Sequence, residues 1–429
     1  MSDTIFALSS GQPPAGIAVV RISGPHAGPA LRALAGKLPT PRRATLARLT
    51  DPRDGIELDH TMVLWLPGPG TATGEDSAEL HLHSGRAVVA AVLAALAVVP
   101  GLRQAWPGEF TRRAFANGRI DLAEAEGLAD LLTAETELQR RSALAMADGA
   151  LSRLVAAWRE RLLALSARLE AVLDFSDEDD VGADLPDGFA ADAVALADDL
   201  AGWLARPRAE PLREGYRVVL AGPPNAGKST LFNALVEDEA AITAAEPGTT
   251  RDVLVRSVAI DGVPFTFIDT AGLREHGAGE IERIGIARAM AEAGKADLVL
   301  WLGSEGEGPA GQPLWEIESR IDRQEREVKR NARFRLSALT GEGMSGFRSG
   351  LVNHARAALP APGEAALNAR QAGLLGEVVA ALETGAGLPD PLLAAEELRL
   401  ARQSLDRLVG RVGTEDMLDA LFGRFCIGK

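Results

Sequence analysis

Gly222-Pro223-Pro224-Asn225-Ala226-Gly227-Lys228-Ser229 decides the fold of the middle of this chain. It fits G-x-x-x-x-G-K-[ST] in full. An apolar run, Val218-Val219-Leu220, precedes it and a second, Leu231-Phe232-Asn233-Ala234-Leu235, follows, which predicts strand, loop and helix. Glycines at such positions let backbone N–H groups face phosphate oxygens, and the helix N-terminus adds positive potential. The pattern implies a nucleoside triphosphate cradled by Asn225, Ala226, Gly227, Lys228, Ser229 and Thr230. Lys228 would reach the β- and γ-phosphates and Ser229 would ligate Mg²⁺. The alternative, a chance glycine-rich turn, is disfavoured by the correct flanks.

The downstream segments come in the order such a site needs. Gly248-Thr249-Thr250-Arg251-Asp252 offers Thr250 as a second Mg²⁺ ligand. Val253–Ile260 and Val263–Ile268 read as strands joined by Asp261-Gly262, a hairpin signal. The second strand delivers Asp269-Thr270-Ala271-Gly272, with Asp269 near Mg²⁺ and the Gly272 N–H facing the γ-phosphate. Ser319-Arg320-Ile321-Asp322 stands in the place of an N-K-x-D motif, with Ser for Asn and Arg for Lys. A buried Asp322 carboxylate would accept guanine N1–H and N2–H₂, a donor pair that adenine lacks. A surface S-R-x-D without a role is the competing reading. Ser337-Ala338, before Thr340-Gly341-Glu342-Gly343, fits a loop contacting guanine O6. Leu273 follows Gly272 and cannot polarise water, so another group must; Glu275, Glu280 and Glu282 are the nearby carboxylates that could orient it, each otherwise a solvent-facing loop charge, and spacing does not choose among them. A monovalent cation held by the Asn225 amide oxygen could supply transition-state charge. Equally, Asn225 could only brace the loop.

The 429 residues predict two or three domains, and 46% hydrophobic with 24% charged residues fits a soluble globular protein. A net charge of −15 excludes nucleic-acid binding by global electrostatics and confines any RNA contact to a local basic patch or a partner. No apolar stretch reaches the roughly 18 residues of a membrane span. One cysteine, Cys426, excludes an intramolecular disulfide framework, and no secretory signal is evident, so a cytoplasmic setting is expected. Residues 16–22, 61–66 and 78–83 read as strands and 87–99 as a helix. From 122 to 204 the pattern turns helical, with Leu162, Leu165, Leu169, Val172 and Leu173 on one face. The acidic run 174–180 favours a solvated helix end over a cation site. Residues 206–211 and 359–363 look like linkers, and helical periodicity resumes over 394–408. The middle segment therefore reads as an insertion whose ends lie close together.

The chain resembles the MnmE (TrmE) family over essentially its whole length. The resemblance rests on residues 16–24, Thr73-Gly74-Glu75-Asp76, Pro107-Gly108-Glu109-Phe110, the inserted phosphate-loop segment and the terminal Phe425-Cys426-Ile427-Gly428-Lys429. It implies a multidomain α/β plus all-α chain. An α+β folate-binding and dimerisation domain (1–115) would precede a helical domain in two parts (116–209 and 363–429), with an inserted Ras-like P-loop GTPase domain (210–362), its sheet mostly parallel. It implies GTP hydrolysis activated by K⁺-dependent pairing of two such domains in a homodimer. With an MnmG-type flavoprotein, the family adds an aminomethyl-type group to C5 of the wobble uridine of certain tRNAs. On these residues, Asn225, the carbonyls of Ala244 and Glu246, and Thr249 look like K⁺ ligands, and Glu282 like the water-orienting carboxylate. Arg21, Glu79, Arg119 (where the family usually has lysine) and Lys429 look like the pocket for formyl- or methylene-tetrahydrofolate. Cys426 resembles a cysteine suspected of a chemical role, although residue type alone favours a small buried hydrophobe. His81 and His83 read as strand or pocket-rim residues rather than a metal site. A GTP-dependent RNA assembly factor without folate chemistry, or an ATPase, are the rival readings.

Overall fold

The computed structural model describes residues 3–174, 184–236, 254–269, 294–324, 328–412, 415–423 and 425–428. They fall into two compact units, one from 1–129, 151–159 and 402–429, the other from 130–150 and 160–401.

The first unit is built on a six-stranded sheet of β1 (Thr4–Leu8), β2 (Ile17–Ser23), β3 (Thr45–Thr50), β4 (Glu57–Leu66), β5 (Ser77–His83) and β6 (Leu102–Gln104), in the order β3-β4-β5-β2-β1-β6. All pairs are antiparallel except β1 with β6. Alternation fixes its faces. Ala18, Val20 and Ile22 of β2 and Ala78, Leu80 and Leu82 of β5 are buried with α1 (Ala27–Ala35) and α2 (Arg86–Ala97). Each such Leu or Ile contributes about 1.5–3 kcal/mol by leaving water. The opposite face carries Arg21, Glu79 and His81, with Arg21 directly across from Glu79 in the pairing register.

Helix α3 (Glu109–Ala116) supplies a fully buried cation to this unit, Arg113. Its guanidinium reaches Asp3 at 3.0 Å, Glu75 at 3.2 Å and Glu109 at 3.1 Å, and donates to the Asp3 carbonyl. Arg103 pairs with Asp3 and Glu109 from the other side. Burial opposes ionisation of Glu109, but the bonds from Arg103, the Trp106 N–H and Arg113 outweigh it and hold the carboxyl below its ordinary range. Asp3 is held low in the same way, burial being outweighed by Arg103 and Arg113.

After α4 (Leu122–Thr133) and α5 (Glu137–Ala147), α6 (Ala150–Asp174) buries Leu151, Val155, Trp158, Leu162, Leu165 and Leu169, spaced by four and three in turn. Val172 and Leu173, expected on the same face, are only half-buried near the helix end. In the second unit α7 (Phe189–Leu204) packs along α11 (Ala369–Gly387). Between them in sequence lie α8 (Glu210–Glu214), α9 (Lys228–Val236), α10 (Met344–Ala358) and a second sheet. Its strands are β7 (Tyr216–Ala221), β8 (Leu254–Ile260), β9 (Val263–Asp269), β10 (Leu298–Trp301), β11 (Leu314–Glu318) and β12 (Phe334–Arg335). Their order is β12-β11-β10-β7-β9-β8, parallel throughout except β8 with β9. Asp261 and Gly262 close that hairpin with φ of 48° and 75°, as a type I′ turn demands. Glu210-Pro211, expected in a linker, instead opens α8, because proline suits a first helical turn. The Ala209 N–H donates to the Leu367 carbonyl at 3.1 Å, and α11 starts on an Asn368/Gln371 capping box, so the chain enters and leaves this sheet side by side. Further helices are α12 (Pro391–Leu408) and α13 (Glu415–Phe422). Among the described residues, no helix is long and apolar enough to cross a membrane.

Arg113→Met should lower the unfolding free energy by about 3 kcal/mol, because it takes the fully buried cation away from the buried Glu109 and the half-buried Glu75 and Asp3. Denaturant unfolding of the full chain measures this, and a loss under about 1 kcal/mol would mean that Arg103 alone suffices. The Asp3 and Glu109 carboxyls titrate low, so their contribution is complete above the ordinary carboxylate range and is lost as pH falls through their lowered folded values. The variant should therefore show a shallower loss of stability in acid.

Candidate functional site

The loop from Gly222 to Ser229 joins the buried strand β7 to α9. Its turn depends on left-handed backbone at Gly222, Asn225 and Gly227, with φ of 148°, 60° and 95°. A Cβ on Gly222 would lie 3.0 Å from the Gly303 nitrogen, so only glycine lets β7 and β10 hold their spacing there. Asparagine tolerates its left-handed position better than most residues. Lys228 is buried, and its ammonium donates to the carbonyls of Gly222 at 3.0 Å and Pro223 at 2.8 Å. The Ser229 hydroxyl donates to Asp269 at 2.9 Å, which joins the start of α9 to the end of β9. Asp269 is almost fully buried.

Beside the loop lies a recess of about 140 Å³, lined by Gly227, Thr230, Arg320, Asp322, Ser337 and Ala338, among others. Three segments build it: the start of α9, the turn after β11 and the turn after β12. Asp322 was expected to be buried, but it is exposed on the recess wall, because residues 319–322 leave β11 as a loop. The Ser337 hydroxyl bond holds its carboxyl below the ordinary range, with help from the nearby Arg323 and Arg320 charges. Asp322 is thus a carboxylate acceptor at neutral pH. Ser337 is fully buried, and its backbone N–H donates to the Glu342 carbonyl at 2.9 Å. Two contacts were not legible from the motif. Ser319 Oγ donates to the Ala226 carbonyl at 2.6 Å, and the Arg320 guanidinium donates to the Asn225 carbonyl.

Thr249, Thr250, Ala244, Glu246, Thr270, Ala271, Gly272, Glu275, Glu280, Glu282 and Lys429 lie outside the described residues. In the first unit, Arg21 Nε and Nη2 donate to Glu79 Oε1 at 3.2 and 3.0 Å, with the Phe110 ring 6.0 Å from the guanidinium. His81 Nε2 lies 3.2 Å from Glu79, and His83 Nδ1 lies 2.8 Å from Asp59. Both histidines therefore meet carboxylates, and among the described residues no cluster is composed to hold a metal ion. Arg119 is exposed, with its aliphatic stem against Gly74. The motif Thr73-Gly74-Glu75 forms a polar knot: Ser23 Oγ bonds Thr73 and Glu75 at 2.7 and 2.8 Å, and Asn117 bonds the Thr73 carbonyl at 2.7 Å. Ile427 bridges to Pro107, and Gly428 abuts the Leu8 carbonyl, where a Cβ would lie 2.2 Å away. Cys426 in that segment is exposed, against the expectation of a small buried hydrophobe, because Phe425 takes the buried position beside Phe422 and Ala125.

Residues 4–119 match the GTP-binding protein TrmE N-terminus, and residues 122–426 match the MnmE helical domain. The tRNA modification GTPase MnmE of Novosphingobium aromaticivorans is 74% identical over 437 residues, covering 100% of both chains. That of Erythrobacter litoralis is 61% identical over 427 residues, again covering 100% of both. That of Rhizorhabdus wittichii is 58% identical over 430 residues, covering 100% of this chain and 97% of its own. With the complete phosphate loop, the sheet order around it and these full-length likenesses, the chain belongs to the MnmE family of tRNA modification GTPases.

Proposed function

We propose that this GTPase, as a homodimer in the cytoplasm, works with an MnmG-type flavoprotein to add an aminomethyl-type group to C5 of the wobble uridine of certain tRNAs. GTP hydrolysis is switched on when two GTPase domains pair around K⁺. The observation that carries the nucleotide half of this reading is the loop at Lys228 opening beside a recess that holds the Asp322 carboxylate and Ser337. Residues 210–362 act as the GTPase domain, 1–115 as the folate and dimerisation domain, and 116–209 with 363–429 as the helical domain.

The Ser229 hydroxyl and Asp269 carboxylate, 2.9 Å apart, are the hard oxygen donors that suit Mg²⁺. Ser229 and Thr250 would hold that ion, which neutralises charge on the β- and γ-phosphates. Backbone N–H groups from Asn225 to Thr230, with Lys228, bind the phosphates, and Thr249, Thr270, Ala271 and Gly272 close over the γ-phosphate. Asn225, through its amide oxygen, would hold K⁺ with Ala244, Glu246 and Thr249. Its position at the left-handed apex of the loop supports that assignment. Glu282 orients the attacking water. Asp322 accepts from the guanine N1–H and N2–H₂ groups, while Ser337 and Ala338 face O6.

In the first unit, the Arg21–Glu79 pair beside Phe110 combines a cation, a carboxylate and an aromatic face. That donor set suits a reduced pterin with its amide and amine groups, so the residues fit formyl- or methylene-tetrahydrofolate. Arg119 and Lys429 would meet its acidic tail, and the cofactor supplies the one-carbon unit. Cys426 is exposed and available for a chemical role. With a net charge of −15, the tRNA is met largely through the flavoprotein partner.

Hydrolysis of GTP and of ATP, each in K⁺ and in Na⁺, tests the reading. GTP should be strongly preferred and Na⁺ should slow its turnover; equal rates in the two salts would remove the cation from the mechanism. Glu282→Ala should leave GTP binding intact while lowering turnover about 10²- to 10⁴-fold; a normal rate would move the role to Glu275 or Glu280. Asp322→Asn should weaken GTP binding on the order of a hundredfold or more and favour xanthosine triphosphate, whose C2 carbonyl accepts the new amide donor. Unchanged guanine preference would take base selection away from Asp322.

A further inference from the structure

The turn after β11 does more than present Asp322. Its first two residues hold three consecutive residues of the phosphate loop. Ser319 Oγ donates to the Ala226 carbonyl at 2.6 Å, and the Arg320 guanidinium donates to the Asn225 carbonyl. The aliphatic stem of Arg320 lies over Gly227, where an added Cβ would meet Cγ at 3.3 Å and Cδ at 3.4 Å. Both residues of the Arg320–Asn225 bond take φ of 60°, a conformation that asparagine tolerates but that an arginine adopts only where its surroundings hold it. Arg320 also lines the recess with Asp322, and its charge helps to keep that carboxylate ionised. One side chain thus stands in the wall between the base recess and the apex of the loop.

We propose that Arg320 is a positioning residue that couples the guanine seat to the cation site at Asn225. Its bond to the Asn225 carbonyl fixes the backbone from which the Asn225 amide projects. The seat that reads guanine through Asp322 therefore also sets how firmly the cation ligand is held. This rests on the reading of Asn225 as a K⁺ ligand. Arginine suits the role because its planar fork can stay on the carbonyl while its stem covers Gly227, whereas a lysine ammonium is a flexible point donor.

The test is a K⁺ titration of GTP hydrolysis by the full chain, with GTP affinity measured in parallel by a fluorescent guanine nucleotide. Arg320→Gly keeps the left-handed backbone free of strain and removes the whole side chain, the guanidinium on the Asn225 carbonyl and the stem over Gly227 together. It should raise the K⁺ concentration for half-maximal rate roughly tenfold, the effect of losing one charge-assisted hydrogen bond. Nucleotide affinity should change less, and Arg320→Lys should fall between. A weakened affinity with an unmoved K⁺ midpoint would overturn the proposal and leave Arg320 as a cover over the base. A wild-type rate indifferent to K⁺ would overturn the reading of Asn225 itself, and the coupling with it.

Discussion

The constraint on which the second unit depends is a turn that must point its backbone donors inward. Left-handed residues at Gly222, Asn225 and Gly227 bend the chain so that α9 begins at Lys228. Such a turn is costly alone, at about 1–3 kcal/mol for a strained non-glycine residue. It persists because its anchors are rigid. β7 sits between the parallel strands β9 and β10, and Val218, Val219 and Leu220 are fully buried. Lys228 then closes the turn on itself through the carbonyls of Gly222 and Pro223.

The two sheets position their polar residues by different physics. A parallel sheet buried on both faces has no polar face, so function gathers in the loops beyond its strand ends. Gly222–Gly227, Asp269, Ser319–Asp322 and Ser337 all lie at or just past the C-terminal ends of β7, β9, β11 and β12. The mainly antiparallel sheet keeps one face free of α1 and α2, and alternation alone sets Arg21, Glu79 and His81 on it. A slip of one residue in β2 would turn Arg21 into the apolar layer, so the buried side chains of Val20 and Ile22 also fix the polar face.

Sequence pattern reads best where one local rule decides structure. The phosphate loop, the Asp261-Gly262 hairpin and the α6 stripe belong to that class. β1 was not legible: Thr4–Leu8 is buried almost throughout, so it shows no alternation. Arg113 and Glu109 carry no local signal of burial, and only the approach of Asp3 and Glu75, distant in sequence, makes them a network around a buried cation. The recess residues Asp322, Ser337 and Ala338 were readable from motif order. The contacts of Ser319 and Arg320 were not, because they depend on how two loops meet.

The connection from β10 to β11 shows how a missing element is replaced. Parallel neighbours are usually joined through a helix that packs on the sheet and satisfies its own backbone. Here residues 302–313 contain no helix. Side chains take over the polar accounting instead. The Trp301 indole N–H donates to the Ser304 carbonyl at 2.8 Å, and Glu316 accepts from the Gly306 N–H at 3.0 Å. Glu305 accepts the N–H groups of Arg330 and Asn331, both at 2.8 Å. The buried Lys329 ammonium bonds the Trp301 carbonyl at 2.9 Å and Glu316 at 2.6 Å. Removing either Lys329 or Glu316 would leave its partner charge without compensation in the interior, so the two must be kept or lost together. Because Gly303 lies against Gly222 and Pro223, this cross-linked turn also backs the start of the phosphate loop. The helix-free crossover is thus held rigid where the nucleotide site needs a fixed wall.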